Sequence, residues 1–239
     1  MKSKINLGLD NFILSYYKTE FDCIKSYFQK LSDSVQSEKD RLQSLADYLK
    51  SKGADDDYIA DSLDDDSFTV NFFETNTYNF AIVFLYSECE KLLKQDYRIL
   101  TYKNAKKMFK FDILKDLYKE EEIDISSFAN FSKINELRLL NNSIKHDGYP
   151  SDELCKINPV RWQKDKKIEL TYSEIETFLD EAEKFFDNLV PIIKSKNEEK
   201  ILKEDLDLIE KLCKENLSSK PNNIQQEINK VLSKLQKFK

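Results

Sequence analysis

The sequence is poor in everything that interrupts a helix. It holds 3 Gly in 239 residues, and ahead of the pair Asp147-Gly148 only Gly8 and Gly53 occur. All four prolines, Pro150, Pro159, Pro191 and Pro221, follow Tyr149. β-sheet proteins need Gly, Pro and Asn-Gly turns at short intervals, and this chain does not supply them. An all-α fold follows. A Gly-rich nucleotide-binding loop is excluded for the same reason. The four cysteines, Cys23, Cys89, Cys155 and Cys213, form no CxxC pair, so no zinc site is legible. They read as buried or half-buried free thiols of a reducing compartment. The longest apolar run is Phe80 to Tyr86, far below the roughly 20 residues that span a bilayer. With no signal peptide evident either, the expected location is cytoplasmic and away from membranes. An excess of positive charge is also missing. There are 38 basic against 44 acidic residues, net −6, which speaks against coating of long duplexes but leaves room for a local cationic site.

What the chain does have is material for a core. Hydrophobic residues make up 40%, with 16 Phe and 12 Tyr, more than a disordered chain of this charge would carry. Leu14, Tyr17, Phe21, Ile24, Phe28, Leu31, Val35, Leu42, Leu45 and Leu49 follow a heptad stripe broken once, at Glu38. The spacing predicts a long helix within residues 1–52. Its partner is either another helix of the chain or the same helix of a second copy. Residues 53–67 hold a run of aspartates and read as an acidic loop. As a calcium loop the run fails. Counted from Asp55, the sixth position is Ala60 and the twelfth Asp66, where Gly and Glu are required.

Residues 68–196 read as the core bundle. Helices are predicted over about Phe68 to Leu100, Tyr102 to Tyr118 (with a basic start at Lys103, Lys106, Lys107 and Lys110) and Ser127 to His146. Gly148 suits the left-handed residue that closes the last of these. The next 22 residues lack helical periodicity, and Lys167 to Thr171 reads as extended. Ser173 with Glu176 reads as a capping box opening a helix through Pro191. Residues 197–239 read as a C-terminal helical hairpin or tail, with helices about Glu198 to Glu215 and Asn223 to Lys237.

One stretch carries chemistry. In Glu136-Leu-Arg138-Leu-Leu-Asn141-Asn142-Ser-Ile-Lys145-His146-Asp-Gly148, His146 is the only histidine of the protein. Arg138, Asn142 and His146 are spaced i, i+4, i+8, which puts them on one stripe about 80° wide, apart from the apolar face of Phe131, Ile134, Leu137, Leu140 and Ile144. His146 lies in the last turn, where unsatisfied carbonyls favour positive charge. An imidazole can serve there as general acid or base. The plainer reading is that His146 caps the helix, Asn142 bonds nearby backbone and Arg138 pairs with Glu136 or another acid.

The helix resembles the motif helix of HEPN-domain proteins, all-α bundles that include prokaryotic toxins, abortive-infection proteins and CRISPR-associated ribonucleases. The family signature is an Arg, four to six residues, then a His, often with Asn after the Arg. Asn142 and His146 match it, and Lys145-His146-Asp147-Gly148 looks like the ending seen in many members. Asn141 stands where the Arg is expected; the nearest, Arg138, is one turn earlier. The resemblance implies a HEPN-like bundle, to which the heptad stripe adds a long coiled-coil-like N-terminal helix, and it implies metal-independent RNA cleavage by attack of a 2′-OH on the adjacent phosphate. His146 would be the general acid/base, Arg138 the cation on the phosphorane with Lys145 as helper, and Asn142 an orienting or phosphate-binding group. Asn141, Lys156, Arg161, Trp162 and Lys164 complete the candidate RNA-contacting set. A cationic loop with a Trp suits phosphate contact and base stacking, and equally a solvated loop with one buried Trp. No cofactor and no metal is implied. The partners implied are single-stranded or tRNA-like RNA, a second copy of the chain, and a cognate antitoxin or defence-system protein. Two other readings stand beside this one: a catalytically silent HEPN-like regulatory partner, and an unrelated coiled-coil scaffold in which His146 is only a cap.

Overall fold

The computed structural model describes residues 12–102 and 110–216, with side chains as far as Lys211. Most of these residues are helical, and there is no strand among them. The elements are α1 (Tyr17–Ser51), α2 (Asp56–Thr101), α3 (Phe111–Glu120), a 3-10 turn (Ile125–Ser127), α4 (Phe131–His146), α5 (Asp152–Ile157) and α6 (Tyr172–Asn216). The predicted helix Asn223 to Lys237, the basic residues Lys103, Lys106 and Lys107, and the side chain of Cys213 lie outside the described residues.

The stretch expected to be an acidic loop is instead the first three turns of α2. Asp55 is its N-cap, accepting from the Tyr58 N–H at 2.8 Å, and Asp56 and Asp57 fill the first turn. Acidic side chains at a helix N-terminus offset the orphan N–H groups and the positive end of the dipole. A run of aspartates therefore starts this helix rather than preventing it. Only Lys52 to Asp55 turn the chain, with Gly53 at φ +88°. α1 and α2 then run back side by side. Glu20 pairs with Lys91 at 3.0 Å, Lys39 with Glu74 at 2.6 Å and Arg41 with Asp66 at 3.2 Å, the pattern of an antiparallel hairpin. The heptad stripe of α1 is thus filled from within the chain. Leu14, Tyr17, Phe21, Ile24 and Phe28 belong to the main core, and Val35 and Leu42 to a small second cluster with Leu63 and Val70. That stripe is consequently not an exposed surface on which two copies could pair.

α6 runs antiparallel to α1. Tyr172 Oη donates to Gln29 at 2.5 Å, Lys25 pairs with Glu183 at 2.6 Å, Tyr17 donates to Asp187 at 2.5 Å and Lys194 donates to Ser15 at 2.8 Å. It is one uninterrupted helix through Pro191, not a helix followed by a separate one from Glu198. Nor does the tail begin at 197. Asn197 is buried, and Lys200 donates to the Leu100 carbonyl at 3.1 Å and pairs with Glu121 at 2.7 Å. The capping box is real but two residues earlier than expected. The Thr171 N–H donates to Glu174 Oε2 at 3.0 Å, and the Glu174 N–H to Thr171 Oγ1 at 3.3 Å.

α4 lies between α2 and α6. Asn130, at its start, donates to Glu181, and Lys133 sits 5.5 Å over the Phe178 ring, so α4 is antiparallel to α6. The main core contains Leu85, Leu93, Leu137, Leu140, Phe185 and Phe186, none more than 1% exposed. One cysteine departs from expectation: Cys89 is buried, Cys155 half-buried and Cys23 exposed.

Candidate functional site

α4 exists because its apolar positions recur at helical spacing, and it ends where Gly148 adopts φ +77° and donates to the Ser143 carbonyl at 3.0 Å. The loop that follows is pinned back on it by the Ile168 N–H, which donates to the Gly148 carbonyl at 2.9 Å. Residues 167–171 lie in neither a helix nor a strand, and residues 152–157 form the short α5 where no helix was predicted.

Packing between two helices and a loop buries more of α4 than a single apolar face. Glu136, Leu139, Asn141 and Ser143 are buried along with Ile134, Leu137 and Leu140. What remains in solvent is a stripe: Asn142, Lys145 and His146 exposed, and Arg138 half-buried. Helical spacing placed three of these together: Arg138, Asn142 and His146. The His146 imidazole makes no hydrogen bond or ion pair with any described residue. Asn142 Oδ1 accepts from Asn141 Nδ2 at 3.1 Å. Asn141 is 2% exposed, and its Oδ1 is buried without a partner among the described residues, so it is a packed polar residue rather than a surface contact.

Arg138 is held at the other end of the stripe. Its Nε and Nη2 both donate to Asn135 Oδ1, at 3.1 and 3.0 Å. The guanidinium lies 5.4 Å over the Phe111 ring, a cation–π geometry. Its nearest carboxylate is Glu153 at 4.0 Å, too far to neutralise it by direct contact. Bonding to Asn135, one turn toward the N-terminus, aims the guanidinium away from His146. The two residues are already about 12 Å apart along the axis. One chain therefore does not bring them to a single phosphate.

The buried loop reading is the one found for Trp162. It is 2% exposed, and its indole N–H donates to Glu136 Oε1 at 2.7 Å, while Lys133 takes Glu136 Oε2 at 2.7 Å. It offers no face for a base to stack on, and Glu136 pairs with these two groups, not with Arg138. Arg161 is structural as well. It forks onto Glu174, with Nε to Oε1 at 2.5 Å and Nη2 to Oε2 at 3.0 Å, stacks 4.3 Å over Trp162 and donates to the Glu169 carbonyl. Burial by itself pushes the Glu174 carboxyl up, but hydrogen bonds from Arg161 and Thr171 outweigh it and hold the group below its ordinary range. Lys164 is exposed and pairs with Asp152 at 2.7 Å; Lys156 is exposed. Of the expected RNA-contacting residues of this loop, only these two lysines are exposed, and Asp152 holds one of them.

The residue that sequence reading missed is Glu136. Its signal was a carboxylate inside an apolar stretch, in a chain whose only Trp, 26 residues on, needs an acceptor for its indole N–H if buried. A comparison of the chain with family models, with curated proteins and with solved structures gives no match.

Proposed function

We propose that the chain is a HEPN-like, metal-independent endoribonuclease in which α4 acts on RNA across two copies, in a defence or toxin–antitoxin setting. The observation that supports it most is the solvent stripe on α4: an imidazole with no partner among the described residues, beside an amide and two cations. In this reading His146 takes the 2′-OH proton as that oxygen attacks phosphorus. The P–O5′ bond breaks, the 5′ oxygen leaves with a proton from water, and a 2′,3′-cyclic phosphate forms. A cation must stabilise the phosphorane. Since Arg138 faces away from His146 of its own chain, that cation is Lys145 of the same chain or Arg138 of a second copy.

A second reading has its own support. The attachment of Arg138 to Asn135 and Phe111 is what a purely structural arginine would show, and it favours a silent, partner-binding protein. One experiment separates the two. Purified protein is incubated with a mixed RNA pool in EDTA, beside His146→Ala and Arg138→Ala variants. The ribonuclease gives products with 2′,3′-cyclic phosphate ends that vanish with His146→Ala. Mixing the two inactive variants restores part of the cleavage if the site is composite. A folded wild type that leaves all RNA intact supports the silent reading.

A further inference from the structure

One face of α2 is uncovered. Phe68, Phe72, Phe73 and Phe80 are 70%, 62%, 53% and 52% exposed, and Phe68 stacks on Phe72 with centroids 6.2 Å apart. Taking about 200 Å² per ring, they leave roughly 450 Å² of aromatic surface in water, near the largest patch a monomer usually carries. One turn and more toward the N-terminus, the same face carries Asp57, Asp61, Asp64 and Asp65, all exposed and none ion-paired among the described residues. An aromatic stripe with an acidic end repels phosphate and anionic lipid. It fits a helix with one apolar face and a basic flank.

The sequence contains such a segment. Over residues 217–239, Ile224, Ile228, Val231, Leu235 and Phe238 repeat at alternating steps of four and three, and five lysines stand against Glu227. The fold keeps this segment from its own α2. Lys200 is level with Leu100, and α6 runs parallel to α2, because both are antiparallel to α1. Asn216 thus lies about 24 Å beyond the end of α2, while Phe80 to Phe68 lie about 30 to 48 Å the other way. Residues 217–223 span at most about 25 Å. The segment cannot close a gap of more than 50 Å within one chain, but the same reach places it on the hairpin of an antiparallel neighbour.

We infer that residues 224–238 of one copy dock on the Phe68–Phe72–Phe80 face of a second copy, reciprocally, with its lysines beside Asp61 and Asp65. Two such contacts bury roughly 1,800 Å² in total, the size of a standard specific interface. This interface is separate from the α4 stripe and does not depend on what that stripe does.

The test is sedimentation velocity on the full-length chain, on Phe68→Ser/Phe72→Ser, on Lys230→Glu/Lys234→Glu, and on the latter combined with Asp61→Lys/Asp65→Lys. The expected result is a wild-type dimer at micromolar concentration that loosens with salt. Affinity falls at least tenfold in each double variant and is recovered in the combined charge swap. Circular dichroism checks that each variant stays helical. A wild type that remains monomeric at high concentration overturns the inference. So does a dimer that Phe68→Ser/Phe72→Ser dissolves but the lysine reversals leave intact, which would mean that the aromatic faces pair with each other.

Discussion

The two ends of the α1–α2 hairpin share a backbone geometry and differ in everything packed around it. At one end α4 and α6 close over α2, and the core there holds rings such as Phe185, Phe186 and Tyr118 with no exposure at all. At the other end only two of the described helices meet, over Val35, Leu42, Leu63 and Val70, and Phe68, Phe72, Phe73 and Phe80 of α2 remain in water. Two helices can bury one stripe each; a third and fourth helix are needed to bury the rest. The stability of the molecule should therefore be graded along the hairpin, and variants can break or sharpen that gradient.

The largest effect is expected in the closed end. Phe186→Ala should cost about 3–5 kcal/mol of unfolding free energy in urea, since the cavity is walled by fixed helices. Glu136→Ala comes next, at about 1–3 kcal/mol, because it strands the Trp162 indole N–H in the core; Trp162 fluorescence should shift with it. In the open end, Leu63→Ala should cost less than a core Leu→Ala. Its effect should show first as faster hydrogen exchange confined to residues 32–75, a local opening that leaves the four-helix end protected.

A further variant exposes a flaw in the closed end itself. Asp96 is 2% exposed, its Oδ2 has no partner among the described residues, and burial, with the nearby Glu20 charge, pushes its carboxyl well above the ordinary range. The folded state then holds a proton that the unfolded chain releases above pH 3.8. Stability should fall as pH rises from there toward the elevated value, the reverse of a salt-bridged carboxylate. Asp96→Asn should flatten that fall, measured as the difference from wild type in urea midpoints at pH 4.5 and 8. The smallest change belongs to His146→Ala. It should leave the unfolding midpoint where it is while abolishing any RNA cleavage, which separates the exposed stripe from the packing beneath it.

Much of the fold was legible because helices obey local rules. The heptads of α1, the apolar spacing of α4 and the Gly148 stop are all found where the residues indicated. The local errors also have local causes. The aspartates before Phe68 read as a loop by charge alone, but the helix dipole accommodates that charge. Polarity after Lys194 reads as a helix end, yet Asn197 and Lys200 still dock on Tyr102 and Leu100. At the candidate site the spacing gathered Arg138, Asn142 and His146 on one stripe, which the fold leaves at the surface. It could not indicate that Asn135 and Phe111 turn the arginine away, since Phe111 comes from another helix.

The sequence by itself settled that this chain is helical, where most of its helices run and which face of α4 holds its only histidine. Those properties depend on residues within a turn or two of one another. Tertiary structure alone decided that α2 fills the stripe of α1, that Trp162 is buried on Glu136, and that four phenylalanines of α2 are left bare. Each of these depends on which apolar surfaces meet across 25 to 170 residues of chain, and burial is non-directional: many pairings satisfy one stripe, and only the packed whole selects among them.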